Sequence, residues 1–246
     1  MNFDTLFKIT LLGFLAGTIG TGLGGFSSFV ITNPSNRLFS FTLGFSGGLM
    51  ISIVCFDLLP EAFMSGLGIS IIGIIIGVAL ISAVDQVLSF HFSGSHMKNE
   101  FLKTGTLMGI SIAAHNFPEG LAIGSGLVAD PHLGISLAII ILIHNIPEGM
   151  AMGAPLSISG ISKIKILLYT IYAGIPMGIG AWIGGYIGNV SKNFIGLCLG
   201  FAGGAMLFIT CQEIIPKSSA LWKGRTSGFS IIFGIICGIL LTKWLA

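Results

Sequence analysis

The chain has 246 residues, of which 53% are hydrophobic and only 8% are charged, and its mean hydropathy is +0.98. No ordinary soluble domain has such a composition, so the sequence predicts a polytopic membrane protein. The formal net charge is only +2 and does not favour nucleic acid as a partner. The lipid bilayer is the first expected partner, and nucleic acid is excluded.

At about 20 residues for each membrane-spanning helix, the apolar sequence divides into eight predicted spans. The breaks between them contain polar residues, Gly or Pro, as at Asn33-Pro34 and Asp130-Pro131. The predicted spans are residues 5–32, 38–60, 66–89, 103–129, 132–156, 165–189, 194–216 and 227–245. No soluble segment remains, so residues 1–246 are expected to form a single all-α transmembrane domain.

Lysine and arginine are distributed unequally between the two sides of this arrangement. Eight spans place both termini on the same side, together with the loops after the second, fourth and sixth spans. That side carries Lys8, Lys192 and Lys243, whereas the other carries eight basic residues. The more basic side is cytoplasmic by the positive-inside rule. We therefore expect a multi-pass protein of the cell membrane with both termini extracytoplasmic.

The sequence also contains an internal repeat. Residues 44–62 align without gaps on residues 200–218, with identity at eight of nineteen positions, and the alignment places Asp57 opposite Glu213. The third span resembles the eighth more weakly. Because five spans separate each copy from its mate, the copies cross the membrane in opposite directions. We predict a 3+2+3 arrangement in which spans 1–3 are inverted relative to spans 6–8, and span 4 relative to span 5. Such inverted repeats are typical of alternating-access carriers.

Two polar motifs interrupt the fourth and fifth spans. Residues 115–120 read HNFPEG and residues 144–149 read HNIPEG. Residues at positions i and i+4 share one face of a helix, so each motif presents an imidazole and a carboxylate together, with an asparagine beside them. The first motif lies about 17–18 Å from either end of its helix, near the middle of the bilayer. Ionisable groups at that depth are costly and usually functional.

The chemistry of these side chains points to a metal ion. Imidazole nitrogen with carboxylate and amide oxygen suits zinc, ferrous iron, manganese or cobalt. A single His–Glu pair could instead be a structural contact between helices, but two copies on consecutive spans make that reading much weaker. A membrane-embedded zinc hydrolase or a metal-selective channel would use the same residues. The inverted repeat and the lack of an HExxH sequence favour a carrier over an enzyme.

The two motifs, with residues 57–62 (DLLPEA) and residues 213–216 (EIIP), resemble those of the ZIP family of divalent-metal transporters, especially its bacterial ZupT-type branch. The resemblance covers essentially the whole chain. It implies an eight-helix carrier, not an enzyme, that imports zinc, and often iron(II), manganese or cobalt, into the cytoplasm. Divalent metal ions are then the expected partners, and a homodimer is a further candidate assembly.

The resemblance also implies a set of site residues. The primary site would use His115, Glu119, His144 and Glu148, and an adjacent second metal would add Asn116 and Asn145. One departure concerns the sixth span, where relatives carry Glu before Pro and this chain carries Ile175. The second site therefore lacks a carboxylate, and we expect one well-formed site.

Five further residues are candidates for the transport path. Two are repeat mates about three residues before a proline, and they fit interfacial carboxylates at helix ends equally well. One lies at a helix end, where a solvated charge is the ordinary explanation. Two are histidines after the third span, where ZIP proteins often carry a His-rich segment. They are Asp57, Glu213, Asp85, His91 and His96.

Overall fold

The computed structural model describes residues 2–30, 35–93, 99–222 and 224–245, and nearly all of these residues are helical. Helices joined by short connections follow one another along the chain. They are α1 (Phe3–Val30), α2 (Asn36–Ser65), α3 (Leu67–Ser93), α4 (Glu100–Ala129), α5 (Pro131–Ile158), α6 (Lys163–Gly188), α7 (Lys192–Leu221) and α8 (Thr226–Leu245).

Seven of these helices are long and apolar enough to cross a membrane, within the part of the chain that is described. The exception is α4, which has 30 residues but carries the first polar motif. The motif of α5 has the same polar residues, but α4 also has fewer Ile and more Thr, so its hydropathy is lower although its length suffices. Large apolar side chains such as Ile164 and Phe229 are exposed, as expected of a lipid-facing surface. The prediction of an all-α integral membrane protein is confirmed.

The short connections follow from local sequence. Asp130 separates α4 from α5, and its carboxylate accepts a hydrogen bond from the His132 N–H at 2.9 Å. Pro131 occupies the first turn of α5, where a missing N–H is harmless. Gly66 links α2 to α3 with φ of 143°, a backbone conformation that favours glycine.

The helices α2 and α7 run a few residues past the approximate ends of their predicted spans, to Ser65 and Leu221. In each case a π-helical turn precedes the proline, over Val54–Leu58 in α2 and Thr210–Ile214 in α7. The proline then lies in the first turn of a new α-helical segment, where its missing N–H does not end the helix. The two π turns fall at matching positions of the repeat.

The helices pack as two groups that meet at the motif helices. Helices α1, α4, α5 and α6 form one group, and α2, α3, α7 and α8 form the other. The groups touch where α4 packs on α7 and where α2 packs on α5. Fully buried side chains such as Met50, Ile141 and Met206 fill this junction. The polar motifs therefore lie at the contact between the two groups.

Candidate metal site

The two motifs lie inside continuous helices. Both α4 and α5 continue through the prolines of their motifs, Pro118 and Pro147. The polar side chains of both motifs are buried, with exposed fractions of 0–5%: His115, Asn116, Glu119, His144, Asn145 and Glu148. Six polar side chains are thus removed from solvent in the centre of an apolar bundle.

Three of these side chains form a compact cluster. The Nε2 atom of His144 lies 3.0 Å from Oε1 of Glu119. One potential ligand atom from each of Glu119, His144 and Glu148 lies within 4.8 Å of the other two. One imidazole and two carboxylates at this spacing are a ligand set for zinc or a similar divalent ion.

Several atoms of the cluster have no partner among the described residues. They are Oε2 of Glu119, Nδ1 of His144 and both carboxylate oxygens of Glu148. Buried polar atoms are normally hydrogen-bonded, and leaving a carboxylate buried without a partner is costly. A bound cation would satisfy the oxygens at once, so the arrangement is suited to holding one.

His115, the fourth residue of the predicted primary site, faces a different neighbour. Its Nε2 atom lies 3.3 Å from Oε1 of Glu213 on α7 and 3.2 Å from Oγ of Ser111 on its own helix. Ser111 also reaches both oxygens of Glu213 at 3.3 Å. Lys217 completes this second group, with Nζ 2.7 Å from Oε2 of Glu213.

The two groups are adjacent. A narrow cavity of about 30 Å³ is lined by residues of both groups, among them His115, Glu148, Glu213 and Lys217. His115 is therefore placed between the three-residue cluster and the Glu213 group. It could bind an ion with either group.

The asparagines hold helices together. Asn145 donates from Nδ2 to Oδ1 of Asn116 at 3.2 Å, and Asn116 donates from Nδ2 to the carbonyl oxygen of Ala173 at 2.8 Å. This chain of hydrogen bonds links α5, α4 and α6. Of the side-chain polar atoms of these two asparagines, only Oδ1 of Asn145 is buried without a hydrogen-bond partner among the described residues. Ile175, which replaces the expected carboxylate, lines a groove against α1 that includes Phe14.

The glycine that ends each motif allows close helix packing. A Cβ on Gly120 would overlap the carbonyl oxygen of Met177 on α6, and a Cβ on Gly149 would overlap that of Thr21 on α1. Each motif helix is thus in direct backbone contact with another helix one residue after its glutamate. These contacts fix the position of Glu119 and Glu148.

The remaining candidates of the transport path are placed as follows. Asp57 accepts a hydrogen bond from Oγ1 of Thr242 on α8 at 2.9 Å. Asp85 lines a very small cavity together with His115 and Glu213. It therefore lies next to the site and not at a solvated helix end. The side chain of His91 and the whole of His96 lie outside the described residues.

A larger cavity leads from this region to one end of the bundle. Its volume is about 710 Å³, and α1, α2, α4, α5 and α7 contribute to its walls. It shares four residues with the narrow cavity beside His115, namely Leu43, Met108, Ala151 and Lys217. The narrow cavity therefore joins the buried site to this vestibule.

Sequence reasoning missed Ser111 and Lys217. Each lies four residues from a candidate that was recognised: Ser111 precedes His115, and Lys217 follows Glu213. The same i, i+4 rule that paired the motif residues could have found both.

Comparison with known proteins agrees with this fold and site. The family model described as "ZIP Zinc transporter" matches residues 93–246. The chain belongs to the ZIP family, which is a family of transporters and not of enzymes. A zinc transporter ZupT from Corynebacterium glutamicum is 31% identical, and the alignment covers 95% of this chain and 94% of that protein.

Two further relatives match over similar lengths. Zinc transporter ZupT from Streptococcus mutans is 30% identical across 96% of this chain and 95% of the relative. Zinc transporter ZupT from Akkermansia muciniphila is also 30% identical, across 98% and 97% of the two chains. The predicted resemblance to the ZupT-type branch is confirmed, and the chain is a multi-pass membrane transporter of divalent metal cations.

Proposed function

We propose that the chain imports divalent transition-metal ions, zinc first, across the cell membrane into the cytoplasm. Iron(II), manganese and cobalt are further candidate substrates because the same nitrogen and oxygen ligands suit them. The observation that carries the proposal is the cluster of Glu119, His144 and Glu148, with its unpartnered carboxylate oxygens at the centre of the bundle. The relatives named as zinc transporters support zinc as the first substrate.

The primary site comprises these three residues and His115, which receives the ion next. Metal enters from outside, where Asp57 lies near the end of α2, and reaches the cluster. Carboxylate oxygens and neutral imidazole nitrogen replace part of its water shell. It then passes His115 and Glu213 to the vestibule, so Glu213 is a path residue. Asp85 lies beside this path, next to His115 and Glu213. His91 and His96 remain candidate path residues from the sequence alone.

Helix packing supports the inverted repeat as part of this proposal. Helix α4 packs on α6 as α5 packs on α1, and α2 packs on α8 as α7 packs on α3. Exchanging helices α1–α3 with α6–α8, and α4 with α5, turns the first contact of each comparison into the second. The arrangement we propose has eight spans in a single domain, with both termini extracytoplasmic and the vestibule on the cytoplasmic side. A second copy of the chain is a candidate partner.

Zinc influx into liposomes containing the purified protein and an indicator dye tests this function. Wild type is compared with Glu119→Gln and His144→Ala over a range of external zinc. Glu61→Gln and His132→Ala are matched controls, because they change the same residue types outside the site. We expect saturable influx in the wild type and both controls, and its loss in the two site variants.

Two results contradict the proposal. Influx that rises linearly with zinc concentration, without saturation, indicates a channel. Undiminished influx in folded Glu119→Gln and His144→Ala variants shows that the cluster is not the transport site.

A further inference from the structure

Lys217 lies where the buried site meets the vestibule. Its ammonium lies 2.7 Å from Oε2 of Glu213, one helical turn before it on α7. Lys217 lines both the narrow cavity beside His115 and the wide vestibule. The side chain of Lys217 is 47% exposed, whereas that of Glu213 is 14% exposed. Glu213 is thus held inside the bundle, whereas Lys217 is open to the vestibule.

The Glu213 carboxylate already has a complete set of partners. His115, Ser111 and Lys217 all contact it. Glu148 differs, because both of its carboxylate oxygens lack a partner among the described residues. A divalent ion can bind Glu148 without displacing a neighbour of that carboxylate, but at Glu213 it must compete with an ammonium.

We infer that Lys217 is a tethered counter-cation that competes with the transported metal for Glu213 and thereby sets the rate of metal release. The inference rests on the proposed function. When no ion is present, the ammonium neutralises Glu213. When the ion arrives, Lys217 swings into the vestibule on its flexible four-carbon side chain. Its return displaces the metal from the carboxylate.

The physical reason is that conduction needs binding sites that are strong enough to accept an ion and weak enough to release it. His115 and an unpaired Glu213 would form a second strong site beside the first. A protonated lysine has donors only, so it cannot itself act as a metal ligand. Its charge therefore weakens metal binding at Glu213 without adding a ligand.

The test compares Lys217→Gln, Lys217→Arg and the double variant Glu213→Gln/Lys217→Gln with wild type. Lys165→Gln, which changes an exposed lysine near the start of α6, is the matched control. Zinc bound per chain in detergent and the maximal influx rate into liposomes are measured for each protein. Size-exclusion profiles identify the variants that fold.

We expect Lys217→Gln to bind one zinc ion more than wild type, because the positive charge that competes with the metal at Glu213 is gone. Its maximal influx should fall several-fold, because release becomes slower. The double variant should lose the additional ion. Lys217→Arg should behave like wild type, because it keeps the positive charge, and so should Lys165→Gln.

Unchanged zinc stoichiometry and unchanged maximal influx in Lys217→Gln overturn the inference, as does an additional ion that persists in the double variant. If Lys217→Gln does not fold, Lys217→Ala replaces it with the same expected results. Failure of the proposed function is distinct, because the wild type itself would then show no saturable influx.

Discussion

Glu119 and His144 are 3.0 Å apart between Oε1 and Nε2, and this contact joins the first motif to the second. The short contact within the buried cluster therefore connects α4 with α5, not the His and Glu of one motif. Each helix supplies part of the ligand set, so a relative movement of α4 and α5 would change the site directly.

Glu119→Gln should weaken zinc binding by tenfold or more, because it removes one of two carboxylates from the cluster while keeping its shape. Losses of about 10- to 100-fold are typical even for residues that only support a metal ligand. Isothermal titration calorimetry of the detergent-solubilised protein measures the change. Glu61→Gln is the control and should bind zinc as wild type does. Equal affinity of Glu119→Gln and wild type would show that Glu119 does not bind the ion.

Zinc should raise the thermal stability of the protein, because the ion satisfies buried oxygens that otherwise lack partners. Free zinc at 100 times its dissociation constant adds about 2.7 kcal/mol to the free energy of unfolding. Thermal unfolding in detergent, with zinc and then with excess chelator, measures the effect. Glu148→Gln should show a smaller zinc response and unfold at a higher temperature than wild type without metal, since it removes a buried charge. A full zinc response in Glu148→Gln would contradict the role of this carboxylate.

The sequence predicted the burial of the motif residues well. A His and a Glu at i and i+4 in an apolar span must face protein and not lipid, and both motifs are buried. The contact between His115 and Glu213 was not predictable in the same way. It depends on how α4 packs against α7, and periodicity within one helix does not determine the partner across an interface.

Helix ends were less predictable where prolines occur. The approximate spans ended near Pro60 and Pro216, but the helices continue because a π turn places each proline in the first turn of the next helical segment. No residue pattern read along the chain predicted a π turn. The repeat predicted only that the two positions would behave alike, as they do.

Gly120→Ala should destabilise the protein, because the added Cβ overlaps the carbonyl oxygen of Met177. Overpacking of this kind costs about 1–3 kcal/mol. Zinc affinity should fall as well, since α4 must move away from α6 one residue after Glu119. Thermal unfolding and zinc titration measure the two effects. Gly68→Ala is the matched control, because no atom lies within 4 Å of the Cβ position at Gly68. Equal losses in both variants would reject the packing explanation.

Asn116→Ala should lower the stability of the protein. We expect one bound zinc ion per chain in both the wild type and this variant. Asn116 accepts from Asn145 and donates to the carbonyl of Ala173, so the substitution removes two buried hydrogen bonds. Each contributes about 0.5–1.5 kcal/mol. The side chain at position 175 is isoleucine, so a second ion would lack the additional carboxylate.

Thermal unfolding and elemental analysis of zinc per chain test this expectation. Asn189→Ala, at the end of α6 and outside the site, is the matched control for loss of an asparagine. Two zinc ions per wild-type chain, reduced to one by Asn116→Ala, would assign the asparagines to a second metal site. One ion in both proteins, with a lower unfolding temperature for Asn116→Ala alone, assigns them to holding α4, α5 and α6 together around a single site.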